Sequence, residues 1–89
     1  MLIDVNGINV AFRDQLIQLV ESIESPKFKL SNTPGRLGPA SLVFEVDDSN
    51  DVDDVVPLLK GTIKKSELGA IMMFNVAPHG QAMWVPKKK

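Results

Sequence analysis

The sequence predicts a single α+β domain in which two helices lie on one face of an antiparallel sheet. Three observations carry this. Two stretches place apolar residues at spacings of three and four, the signature of a helix with one buried stripe. Short alternating or continuously apolar runs stand on either side of each of them, as strands do. The chain has 89 residues, 44% apolar and 24% charged, which is enough for one core and too little for a second.

The first strand is read at residues 1–5, where Leu2, Ile3 and Val5 surround Asp4. Asn6-Gly7 follows, a pair suited to the positive φ angles of a tight hairpin turn. It predicts a hairpin with a short return strand at residues 8–10, or a bend at Gly7. The competing reading has Asn9 capping a helix. From about Ala11, Phe12, Leu16, Leu19, Val20 and Ile23 form one stripe, with Arg13, Asp14, Gln18 and Glu21 on the other face. Ser25-Pro26 is expected to end this helix, because proline disfavours helical geometry in the residue before it.

Residues 27–30 alternate, Phe28 and Leu30 on one side and Lys27 and Lys29 on the other, and read as a short strand fit for a sheet edge. Residues 31–40 hold Pro34, Pro39, Gly35 and Gly38 and read as a loop. Residues 41–46, Ser-Leu-Val-Phe-Glu-Val, form the clearest strand, and their apolar run predicts a central position.

Residues 47–54 turn into a second helix, with Ser49 or Asn50 as its N-cap. Its stripe is Val52, Val55, Val56, Leu59 and Ile63. Pro57 fits a helix that starts at Val55 or Val56, and predicts a kink in one that starts earlier. Gly69 is expected to close the segment, and the apolar run at residues 70–76 reads as a strand. Residues 77–80 make a turn, residues 81–85 a returning strand, and Pro86 a stop before Lys87, Lys88 and Lys89. The expectation is one domain at residues 1–86 with a charged tail at 87–89. Its order is that of a ferredoxin-like split βαβ sandwich (βαββαβ) with an extra C-terminal hairpin strand.

Composition narrows the function. Without cysteine there is no disulfide framework, no thiolate metal site and no cysteine nucleophile. The opening residues lack a basic region and a long apolar run, and no stretch approaches the roughly 20 apolar residues of a membrane helix. A cytoplasmic protein with no membrane partner is expected. The net charge of −1 supplies no global field for nucleic acid. The charges are nevertheless segregated. Glu45, Asp47, Asp48, Asp51, Asp53 and Asp54 form an acidic run, and everything after it holds six lysines and a single acid, Glu67.

Four features are candidates for function. The acidic run is rich in oxygen donors but lacks the glycine and terminal glutamate of a calcium-binding loop, so it reads as a helix start and no metal site is assigned. The loop around Gly35, Arg36 and Gly38 could wrap a phosphate, although a strand rather than a helix follows it. Lys60, Lys64, Lys65, Lys87, Lys88 and Lys89 could meet nucleic acid, with Phe74 and Trp84 stacking on bases. Met73, Met83 and Trp84 concentrate adaptable apolar bulk in the C-terminal hairpin and suit an interface. His79 is the only histidine and has no acid or nucleophile beside it in sequence, so it reads as an exposed turn residue.

The sequence therefore predicts a small binding module rather than an enzyme, without a cofactor. It would associate with itself as a homodimer, or with another protein, through an open sheet face at Met73, Met83 and Trp84. The alternative is nucleic-acid binding through the lysines, and the third reading is a small-molecule or phosphate sensor at the loop.

Overall fold

The computed structural model describes residues 1–81. It is an α+β fold with a four-stranded sheet and three helices. The strands are β1 (Leu2–Asn6), β2 (Lys29–Leu30), β3 (Ser41–Glu45) and β4 (Asn75–Pro78). The helices are α1 (Arg13–Glu21), α2 (Val52–Lys65) and α3 (Glu67–Ile71). The strand order is β2-β3-β1-β4 and every neighbouring pair is antiparallel. It follows that β1 and β2 run parallel with β3 between them, and that β3 and β4 run parallel with β1 between them. The two βαβ halves therefore interlock.

Alternation sorts the sheet residues between its faces. Ile3, Val5, Leu42, Phe44 and Val76 join Leu16 and Val20 of α1, Val55, Val56, Leu59 and Ile63 of α2, and Leu68 of α3 in one buried apolar cluster. Phe28, just ahead of β2, fills the same core. The opposite face carries Asp4, Asn6, Ser41, Val43 and Ala77, all buried and all outside that cluster. The central position expected for residues 41–46 is the one β3 occupies, and β2 lies at an edge of the described sheet, as Lys27 and Lys29 predict.

Several local expectations are corrected. Asn6-Gly7 makes no hairpin. Gly7 takes φ 80 and bends the chain out of β1, and its N–H and that of Ile8 both donate to the Ala40 carbonyl. Ile8 then drops into the core, and the Asn9 side chain accepts from the Ala11 N–H to cap a single 3-10 turn at Val10–Phe12. α1 stops at Glu21, ahead of Ser25-Pro26, where the Ser22 N–H is shared among preceding carbonyls and its hydroxyl donates to the Leu19 carbonyl. β2 is two residues long rather than four.

The N-cap of α2 is Asp51, not Ser49 or Asn50. Its carboxylate accepts from the Asp53 N–H at 2.9 Å. Pro57 therefore lies in the second turn. It faces solvent, so the Asp53 carbonyl that it leaves without a helix donor is within reach of water.

The largest correction falls after α2. Residues 70–76 are not one strand. The Ser66 hydroxyl closes α2 by donating to the Ile63 carbonyl, and the hydroxyl oxygen accepts from the Leu68 N–H to open α3. Gly69 sits inside α3 because a Cβ there would come within 2.4 Å of the Lys64 carbonyl oxygen. Only Asn75 onward pairs with β1. The extra hairpin strand at residues 81–85 and the tail at 87–89 lie outside the described residues, apart from Gln81, which turns back to the Pro78 carbonyl.

Candidate functional site

Among the described residues Val10, Leu37 and Leu58 are exposed singly, and Ile71 and Met73 are exposed together at the connection between α3 and β4. Met73 is 92% exposed and Ile71 55%, while Met72 between them is buried and Phe74 leans on the core. The alternation expected of a strand thus survives in a segment that leaves α3 and becomes extended at Met72. Met73 does not stand on a sheet face. It borders a groove of about 380 Å³ whose other wall is α2, where Lys60 and Lys64 line it together with Met72 and Phe74. Two separate expectations, an apolar interface and a basic patch, therefore meet at one place. Lys65 is exposed at the end of α2 but does not line this groove. Met83, Trp84, Lys87, Lys88 and Lys89 lie outside the described residues.

Charge along α2 is ordered. Asp53 and Asp54 occupy its first turn and Lys64 and Lys65 its last, each matching the helix dipole. Asp53, Pro57, Lys60 and Lys64 follow one another at spacings of four, three and four, so they share the flank that borders Met73. Two further acids of the run have partners of their own, one local and one distant in sequence. Asp47 accepts from the Ser49 N–H at 2.8 Å, and Asp48 pairs with the Met1 amine. The Ser49 N–H, and after it the Ser49 hydroxyl, hold the Asp47 carboxyl below the ordinary carboxylate range. Among the described residues no group of three or more side chains is placed to hold a metal ion.

The loop at residues 31–40 is built onto the sheet rather than loose. The Ser31 N–H donates to the Val43 carbonyl, the Leu37 N–H to the Ser41 hydroxyl, and the Ser41 hydroxyl to Asn6 Oδ1 at 2.6 Å. Gly35 lies directly on Ser41, where a Cβ would overlap the serine side chain. The loop borders a cavity of about 300 Å³ that Gly35 and Gly38 line. Arg36 does not line it. The cation there is Arg13, from the first turn of α1. Sequence reading placed Arg13 only on the polar face of its helix, and nothing local could have connected it to a loop some twenty residues on.

His79 has a partner that the sequence did not suggest. Asp4, fully buried on the second sheet face, lies 2.8 Å from His79 Nδ1 and also accepts from the Gly80 N–H. The imidazole side chain is 33% exposed. A carboxylate buried this way orients a histidine ring. The only local signal was the lone acid inside Leu-Ile-Asp-Val.

No family model, no curated protein and no solved structure matches the chain. Among the described residues no helix is long and apolar enough to cross a membrane.

Proposed function

We propose that this chain is a small, non-enzymatic assembly module that pairs with a second copy of itself through the flank of α2 and the neighbouring Ile71 and Met73. The observation that carries this is Met73, which stands 92% exposed beside Lys60 and Lys64. With Ile71 two residues away it leaves apolar surface bare at one place, the kind of surface that a partner covers.

The partner follows from charge. A flank with Asp53 at one end and Lys64 at the other is self-complementary when two copies meet antiparallel, since each acid then faces the other copy's lysine. The apolar residues supply the area and the charges set the direction. The fold is read in the same proposal as ferredoxin-like, because two interlocked βαβ halves with β1 and β3 at the centre have that arrangement.

Lys60 and Lys64 beside Phe74 also suit a nucleic-acid strand. Sedimentation equilibrium separates the two readings. Self-assembly predicts a mass that rises with concentration and falls back toward the monomer in Met73→Ser. A wild-type monomer at every concentration, with single-stranded oligonucleotide bound at low salt and released at high salt, would replace assembly with the nucleic-acid reading.

A further inference from the structure

We propose that the cavity between Arg13 and the loop at residues 31–40 is a binding site for a small oxyanion, either a phosphate or a carboxylate group carried on a compact molecule. Its volume of about 300 Å³ suits a ligand of that size.

The donor set points the same way. Ser31 Oγ donates to Thr33 Oγ1 at 2.9 Å and accepts from the Thr33 N–H, so the Thr33 hydroxyl proton is left to donate elsewhere. The Ser41 hydroxyl is already engaged at both ends, by Asn6 and by the Leu37 N–H, and serves as the floor. The amide of Asn32 and the backbone N–H groups of Asn32 and Gly35 have no acceptor among the described residues. The Arg13 guanidinium adds a positive fork, and its nearest acid, Asp14, stands 3.9 Å away with its own side chain 92% exposed. Such a pair is screened by water and leaves the guanidinium able to turn to a ligand. No carboxylate lines the cavity itself; the nearest ones stand outside it, Asp14 beside Arg13 and Glu21 at the Leu30 N–H. The loop is bonded in place before any ligand arrives, which lowers the ordering cost of binding.

Titration calorimetry with inorganic phosphate, and separately with acetate, at constant ionic strength tests this. Saturable binding of either anion by the wild type is expected, and which one binds identifies the source of the oxyanion. Arg13→Gln should weaken it about tenfold, the loss of one charge-assisted pair. Thr33→Val, at the rim, should weaken it less. Arg36→Gln removes the same charge from outside the cavity and should leave binding intact. No saturable binding by the wild type, or equal losses in Arg13→Gln and Arg36→Gln, would overturn the proposal.

Discussion

The two faces of the sheet are both buried, by opposite means. Beneath the helices the buried side chains are apolar and interchangeable in kind, and nothing but shape distinguishes Val5 from Leu42. On the other face Asp4, Asn6 and Ser41 are also buried, Asp4 completely, yet each is held by a specific partner. The described residues leave no buried polar side-chain atom unbonded. The first face derives its stability from area, which tolerates exchange of residues. The second depends on pairing, where losing one partner costs more than losing both.

Substitutions on the two faces should expose that difference. Phe44→Ala opens a cavity in the apolar cluster and should cost about 4 kcal/mol in chemical denaturation, the largest effect expected. His79→Ala leaves the buried Asp4 carboxylate with the Gly80 N–H as its remaining donor among the described residues, and should cost about 3 kcal/mol. Asp4→Val removes the charge itself and should cost about 1 kcal/mol or less, although Asp4 is the more buried member of the pair. Equal losses in His79→Ala and Asp4→Val would mean that the second face is held by packing like the first.

The smallest effect lies at the turn before α2. The folded chain holds the Asp47 carboxyl below its ordinary range, so that carboxylate adds stability above its unfolded pKa. The contribution is lost as the pH falls through the lower, folded value. Asp47→Asn should therefore lower stability slightly at neutral pH and leave it almost unchanged in acid, which flattens the acid limb of the stability profile. A larger change in acid than at neutral pH would contradict the sign.

Elements fixed by local pattern were legible in the sequence. The stripes of α1 and α2 have a period that nothing else produces, and residues 41–45 are apolar on both sides because β3 has neighbours on both edges and cover on both faces. Residues 70–76 misled because a continuous apolar run carries no period, so one helical turn and an extended segment look alike. What decides between them is Gly69 against the Lys64 carbonyl, a contact created only once α2 has turned at Ser66. The site residues divide in the same way. Met73 and the lysines could be singled out by type, and the loop by its glycines and prolines. That Met73 lies beside Lys60 and Lys64, that Arg13 rather than Arg36 reaches the loop cavity, and that Asp4 meets His79 are consequences of topology between distant segments.

The assembly proposal is tested most directly by exchanging charge between the ends of α2. One variant carries Lys60→Glu and Lys64→Glu, the other Asp53→Lys and Asp54→Lys. Each alone should sediment as a monomer, because both contacts of an antiparallel pair become repulsive. An equimolar mixture should sediment as a dimer, since each altered end then faces its opposite. If each variant alone still associates as the wild type does, or if the mixture stays monomeric where the wild type dimerises, pairing through this flank of α2 is wrong.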